Sequence, residues 1–397
     1  MTANKRLGWA SAKPRLLMLT SRADMGGAPE HMHQLLKSLG ERYEFHVACP
    51  QQEPYWSRFR IAVGRERMLC IPSRSIDPVT LFGLHRYIKE RNIQIVHSHG
   101  YGAGLLARLL CGLRDVPTVH THHGVHFLWQ RNAVSAVKRL VERGLARRAS
   151  ATIFVSNDEL QAVRAAGLSP HGALVIPNGI DLGRLKMRSH ESPAAPRRLR
   201  IVNANQFNEC KNAFGLLDIF DALRAHYGAE AAQRMPQLDV YGDGPDRARF
   251  EQRIAELDLA HCVKACGIVP KLFERMPDYD LLLSCSHWEG LPIAVLEAMG
   301  SGLPAVLSRV PGHQELLRQG FDTQDSDMGF DIGDAKQAAQ RLARLIDDAP
   351  LRERIGTQAR QLVHQHYGQR SMLDSVDACY TRLIERRSDV PAASAIA

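Results

Sequence analysis

Short apolar runs alternate with stretches of helical period along the first half of the chain. Runs at Arg15–Thr20, Phe45–Cys49, Met68–Ile71, Ile93–His97, Thr118–His122, Thr152–Ser156 and Leu174–Pro177 have the length and β-branched content of strands. Between them, Glu30–Leu39, Val79–Lys89, Gly104–Gly112, Ser135–Arg147 and Asp158–Ala166 repeat apolar residues at helical spacing. The alternation predicts a parallel sheet with helices on both faces. A polar stretch, Arg188–Arg198, holding Pro193 and Pro196, interrupts the pattern as a linker would. The pattern then restarts with strands at Arg200–Ala204, Gln237–Tyr241, Val263–Cys266, Leu281–Ser284 and Pro304–Ser308, and helices at Phe214–His226, Arg247–Leu257 and Ile293–Met299. An amphipathic helix is expected at Ser371–Arg386 and a frayed tail at Val390–Ala397.

A length of 397 residues suits two such domains. The expected division is 1–190, 191–370 and a terminal segment 371–397. The net charge of +9 is uneven. Residues 1–190 hold 27 Lys+Arg against 13 Asp+Glu, which leaves +14, and residues 191–397 hold 24 against 29, which leaves −5. A basic half suits an anionic partner: nucleic acid, lipid or a phosphorylated substrate. The eight cysteines include no Cys-x-x-Cys pair, which argues against a disulfide framework. No apolar run reaches the roughly 20 residues that cross a bilayer, and Met1–Lys13 lacks the apolar stretch of a signal peptide. A cytoplasmic location is expected.

The most informative segment is Ser286–Met299. It follows an apolar strand, so it sits at a strand's carboxyl end, where open α/β sheets bind ligands. Gly290 permits close backbone approach and Pro292 suits the first turn of a helix. The N-terminus of that helix offers free N–H groups to an anion. Glu289 stands just before it and Glu297 about two turns in, so a diphosphate there has one carboxylate on each side. Carboxylates accept well from vicinal hydroxyls, which a sugar and a ribose both present. Two glutamates with seven residues between them are commonplace on a surface helix; the string Glu-Gly-Leu-Pro-x-x-x-x-Glu-Ala-Met-x-x-Gly-x-Pro is far more specific.

That string resembles glycosyltransferase family 4, the retaining enzymes of GT-B fold that include many bacterial surface-polysaccharide transferases. The likeness extends through Gly26-Gly27-Ala28, His97-Ser98-His99-Gly100, Thr121-His122-His123-Gly124, Val155-Ser156-Asn157, Ile176-Pro177-Asn178-Gly179-Ile180-Asp181, Gly242-Asp243-Gly244-Pro245 and Val310-Pro311-Gly312-His313-Gln314-Glu315. It implies two Rossmann-like domains facing across a cleft, with the terminal helix returning to the first. It implies that Glu297 holds the ribose of a donor nucleotide and Glu289 the hydroxyls of the donor sugar. Backbone N–H groups around Gly290, Leu291, Pro292 and Ile293 would meet the diphosphate, with Gly27 beside it from the opposite domain. Gly267-Ile268-Val269 would lie against the base, and His123 near the reacting carbon.

One segment departs from the family pattern. Asn203–Asn212 aligns with a loop that normally supplies an Arg and a Lys to the diphosphate. Lys211 matches the Lys, but Asn205 and Gln206 stand where Gly and Arg are usual. A bidentate, permanently charged clamp is lost and one point charge kept. Either the two amides still donate hydrogen bonds, or another arginine such as Arg309 substitutes, or donor is bound weakly and turned over poorly.

The histidines at 97, 99, 120, 122, 123 and 126 suggest a metal site. Their His-x-His spacing at strand ends, without an acidic or cysteine partner at zinc-site spacing, favours packing instead. No metal and no resident cofactor are expected, only a nucleotide-sugar co-substrate such as a UDP- or GDP-sugar. Arg131–Arg148 projects as a helix with a cationic sector and an apolar sector, Val134, Val137, Leu140, Val141 and Leu145. It serves equally as a core-facing helix with a solvated basic face or as a rest on anionic lipid. The chain lacks zinc-finger and helix-turn-helix patterns, so nucleic acid is not an expected partner. It also lacks the dinucleotide fingerprint, the P-loop and the Gly-x-Ser-x-Gly elbow. The expected activity is sugar transfer to a hydroxyl of a growing, lipid-linked surface glycan. A sugar-nucleotide 2-epimerase and a non-catalytic nucleotide-sugar-binding relative share the architecture and remain alternatives.

Overall fold

The computed structural model describes residues 13–73, 77–111, 116–130, 132–187, 197–320 and 327–388. Nearly all of the basic N-terminal stretch, Arg131, most of the expected linker and the expected tail lie outside them.

The first sheet contains β1 (Arg15–Thr20), β2 (Glu44–Cys49), β3 (Met68–Cys70), β4 (Ile95–His99), β5 (Thr118–Thr121), β6 (Ala151–Phe154) and β7 (Ala173–Val175). Their spatial order is β3-β2-β1-β4-β5-β6-β7, and every pair is parallel. The crossovers are α1 (Gly27–Leu39), α2 (Tyr55–Val63), α3 (Pro78–Glu90), α4 (Tyr101–Cys111), α5 (Ala133–Leu145) and α6 (Asn157–Ala165). Helices cover both faces, which is why β1 carries four consecutive apolar residues, Leu16 to Leu19, all fully buried.

The second sheet contains β8 (Arg200–Ala204), β9 (Gln237–Tyr241), β10 (Val263–Gly267), β11 (Leu281–Ser284), β12 (Ala305–Ser308) and β13 (Gly329–Phe330). Its order is β10-β9-β8-β11-β12-β13, again all parallel. Its helices are α7 (Ala213–Tyr227), α8 (Ala231–Arg234), α9 (Arg247–Glu256), α10 (Ile293–Gly300), α11 (Pro311–Gly320), α12 (Ala335–Asp347) and α13 (Ala349–His366). Both sheets are doubly wound. Strand order reverses between β1 and β4 and between β8 and β11, and ligand crevices form at such points.

The last helix, α14 (Gln369–Ser388), packs on the first sheet. Met372, Val376 and Tyr380 share a core with Leu16, Met18 and Ile95. Tyr380 also reaches His97 Nδ1 at 2.5 Å.

The periodicity assigns no element to 50–67 or 309–370, where the structure has α2 and α11 to α13. The buried stripe of α12, Ala338, Ala339, Leu342, Ala343 and Leu345, recurs at helical spacing and marks an element that the pattern above omits. Strand β4 begins two residues later than the pattern suggests, because the Ile93 N–H closes the end of α3 by donating to Ile88 O. Helix α5 resolves the open question about its orientation. Ser135, Glu142 and Leu145 point inward, and Val134, Val137, Leu140 and Val141 point to solvent.

Candidate active site

The carboxyl ends of the two sheets meet around Glu289. Lys211 Nζ lies 2.6 Å from Glu289 Oε1, and Ser286 Oγ donates to the same oxygen at 2.7 Å. Lys211 is set in a short turn that Asn208 caps by accepting from Lys211 N at 3.1 Å. Asn212 then takes a left-handed conformation at φ 48° and ties the turn to Cys285 O at 3.0 Å. Burial alone would raise the Glu289 pKa, but the Lys211 charge, nearby His313 and the bonds from Lys211 and Ser286 hold it below the usual value. Burial pulls the other way on Lys211, and Glu289 outweighs it, so the ammonium is kept. Glu289 is thus a fixed acceptor with one oxygen engaged.

Two helix N-termini converge beside this pair. Neither α10, which starts after Pro292, nor α1, which starts after Gly26, has a side-chain cap. They face each other across the cleft: a Cβ on Gly27 would lie 3.8 Å from Ile293 Cδ1. Each end carries roughly half a positive charge in unpaired N–H groups, so the cleft favours an anion. Glu297 projects from α10 into the same region, and its carboxyl has no hydrogen-bond partner among the described residues. Burial, with Glu30 across the cleft, pushes its pKa up to about 8, and Arg184 offsets part of that.

The amides at 205 and 206 have protein partners. Asn205 braces its own loop, accepting from Phe207 N at 2.8 Å and donating to Lys211 O at 3.3 Å. Gln206 Nε2 donates to Met25 O at 2.9 Å, in the loop that carries Gly26 and Gly27. Arg309 pairs with Asp327 and Asp331. Gly242, at φ 130°, crosses so close to this loop that a Cβ would sit 1.7 Å from Asn205 O. Its N–H reaches Gly267 O at 2.8 Å, which joins the Gly267-Ile268-Val269 loop to the row of strand ends. Ile268 is half exposed there and Val269 packs on the second core.

Gly290 contacts protein rather than open cleft. A Cβ on it would lie 2.8 Å from Gly124 N and 3.2 Å from the His123 carbonyl carbon, so this glycine lets the two domains touch. Leu291 is buried, and its carbonyl accepts from Asn178 Nδ2 at 2.7 Å. Asn178 Oδ1 meets His31 Nδ1 at 2.9 Å. A carbonyl can only accept, so the Asn178 amide turns its oxygen to His31, which carries its proton on Nδ1. The His31 ring lies edge-on to His123, with centroids 5.0 Å apart, and His123 Nε2 is 3.1 Å from His99 Nδ1. Burial pulls His31 down to about 4 and His97, His99, His120 and His123 well below their usual value, so the cluster is neutral at physiological pH. No group of three or more His, Cys, Asp or Glu among the described residues is arranged to hold a metal ion.

Several contributors carry no individual role in the sequence reading. Glu159 accepts from Gly124 N at 2.8 Å beneath His123. Glu315 accepts from Asn157 N at 2.5 Å and Asp158 N at 3.2 Å, clasping the start of α6 from the other domain. Asn178 and Glu315 lie inside motifs quoted above, whereas His31 and Glu159 give no local signal.

Comparison with known proteins bears on the family and the fold. A model described as Glycosyltransferase Family 4 matches residues 25–184, and one described as Glycosyl transferases group 1 matches residues 188–362. The chain is 25% identical over 333 residues to the UDP-Gal:alpha-D-GlcNAc-diphosphoundecaprenol alpha-1,3-galactosyltransferase of Escherichia coli, covering 78% of this chain and 82% of that one. It is 23% identical over 320 residues to the O-antigen biosynthesis glycosyltransferase WbnH of Escherichia coli, covering 79% and 88%. Among solved structures, Anabaena Alr3699/HepE in complex with UDP and glucose superposes with a TM-score of 0.77 at 18% identity, over 93% of this chain and all of that one. With both halves matched in order and both sheets wound alike, the chain belongs to glycosyltransferase family 4 and has the GT-B fold.

Proposed function

We propose that this glycosyltransferase moves a sugar from a nucleoside-diphosphate donor to a hydroxyl of a lipid-linked, growing surface glycan, with retention of configuration. The observation that carries the reading is the Lys211–Glu289 pair beside the uncapped start of α10, with the unpartnered Glu297 carboxyl further along that helix. Glu297 takes the ribose hydroxyls and Glu289 those of the transferred sugar. The diphosphate gathers charge as its bond to the sugar breaks, and Lys211 with the two helix ends stabilises it. The reaction is read as metal-independent, with Lys211 and the two helix ends carrying that stabilisation. His123 lies at the reacting carbon, and the acceptor attacks on the face from which the diphosphate departs. The names of the Escherichia coli relatives, a transferase to a diphosphoundecaprenol-linked sugar and an O-antigen transferase, support an acceptor of that class.

The test is thermal-shift screening against UDP, GDP and their sugars, followed by incubation of each binder with polyprenol-diphosphate-linked sugars. Transfer with the donor anomeric configuration kept, seen by NMR, supports the reading. An altered sugar nucleotide formed from donor alone identifies an epimerase, and binding without turnover of any acceptor identifies a non-catalytic relative; either overturns the proposal.

A further inference from the structure

Helix α5 is inverted relative to an ordinary surface helix. Its inward side is polar: Ser135 is fully buried, and Glu142 forms a buried two-pronged ion pair with Arg108 of α4, at 2.6 and 2.7 Å. Its outward side is apolar, with Val134 62%, Val137 60%, Leu140 69% and Val141 37% exposed. On a helical projection these four span one continuous sector with Ala133 and Gly144. Arg143 borders the sector on one side, with exposed Arg147 just past the helix end, and Lys138 borders it on the other. Helix α4 packs beside α5, through the ion pair and through Lys138 over the Tyr101 ring at 5.5 Å. On the other flank of α4, α3 exposes Val79 and Phe82 in its first two turns. The crossovers from β3 to β6 all progress in one direction across the sheet, so right-handedness puts α3, α4 and α5 on the same face.

We infer that this face is a docking surface for an anionic lipid bilayer, with α5 lying in the interface and its valines and leucine among the acyl chains. The charge pattern selects this occupant. Cations on both flanks of an apolar stripe complement acidic headgroups around an apolar interior. A second copy on the same face would oppose those cations across a two-fold axis. Helices α3, α4 and α5 begin at the carboxyl ends of their preceding strands, the edge of the sheet that lines the cleft. A molecule lying on α5 therefore presents the cleft mouth close to the headgroups, where the diphosphate of a lipid-linked acceptor sits. The inference goes beyond the transferase reading by assigning the surface that brings such an acceptor to the site.

Flotation of the full chain with vesicles tests it. Vesicles of equal parts phosphatidylglycerol and phosphatidylethanolamine should carry the protein upward, and phosphatidylcholine vesicles should not. The V137S/L140S variant should partition at least about tenfold more weakly, since each exposed apolar side chain contributes about that factor when buried. The R143Q/R147Q variant should lose binding that added salt also removes in the parent. UDP and GDP affinities are measured on the same preparations and should be equal in all of them. The inference is overturned by parent protein that ignores anionic vesicles, by V137S/L140S binding as the parent does, or by an α5-dependent dimer that binds no vesicle. Because nucleotide binding is read separately, a failure here leaves the transferase reading standing, and loss of nucleotide binding in the parent alone sinks that reading instead.

Discussion

Gln206 Nε2 donates a hydrogen bond of 2.9 Å to the carbonyl of Met25 in the opposite domain. The residue sits where the family usually has an arginine, and its one good donor contact is a strut across the cleft. The strut holds the Gly26-Gly27 turn against the second domain, so that α1 and α10 present their free N–H groups to one space. Pre-set helix ends thereby take over part of the work of a guanidinium.

The substitution Gln206→Arg restores the missing cation without removing the strut, since a guanidinium still has an N–H for Met25 O. A charge-assisted bond to phosphate is worth about 1.5–3 kcal/mol. Calorimetric titration should therefore show UDP or GDP binding about tenfold or more tighter in the variant. Unchanged affinity would make position 206 purely a domain strut.

Lys211 and Glu289 depend on each other. Lys211→Ala leaves a buried carboxylate without its cation, so Glu289 is driven toward its protonated form, and the site loses the ammonium and the negative charge that faces it. Turnover should fall by roughly two to three orders of magnitude, the range seen when one preorganised charge-stabilising group is removed. Glu289→Gln keeps the shape and the Ser286 contact but not the charge, and it should lower turnover while the far-ultraviolet dichroism stays unchanged. Parent-like rates in either variant would remove the pair from the chemistry.

Much of this site was legible because its parts are contiguous. Residues 286–299 hold a strand end, a turn, a helix start and two acids, and the predicted helix Ile293–Met299 differs from α10 by one residue. The contacts that join the domains were not legible. Gln206 to Met25, Glu315 to Asn157 and Tyr380 to His97 link residues 181, 158 and 283 positions apart, and no local period encodes such pairs. Helix α5 shows a different limit. Periodicity gives the angle between its sectors but not which one meets the protein; the Arg108–Glu142 pair decides that, and it requires knowing where α4 lies.

Glu297 should leave a signature in stability against pH. Its pKa is raised from 4.5 to about 8 by burial and by Glu30, so between those values the folded chain keeps a proton that the unfolded chain has lost. Stability from this group is fully present below about pH 4.5 and is lost as pH rises through 8. Glu297→Gln has no such titration. Urea denaturation from pH 5 to 9 should show the parent losing stability relative to the variant across the window, and parallel curves would mean that Glu297 is solvated in the free protein.

The neutral imidazoles predict acid lability. Burial lowers His31 and His122 from 6.5 to about 4, and His97, His99, His120 and His123 shift in the same direction. Below pH 6.5 the unfolded chain binds protons that these folded histidines refuse, so stability present above pH 6.5 is lost as pH falls toward 4. For His31 and His122 that loss is on the order of 2 kcal/mol each between pH 6.5 and 5. Together they are a large share of the stability of an ordinary domain, about 5–15 kcal/mol. Acid unfolding of the first domain is therefore expected to begin as pH falls below 6.5, before most carboxylates titrate. Fluorescence and circular dichroism followed from pH 7.5 to 4 would show it. His120→Asn should move the midpoint to lower pH if the side chain still packs, because one of the refused protons is gone. A chain that stays folded at pH 4.5 would mean that the cluster admits water, and the dry, neutral surroundings assigned to His123 would be wrong.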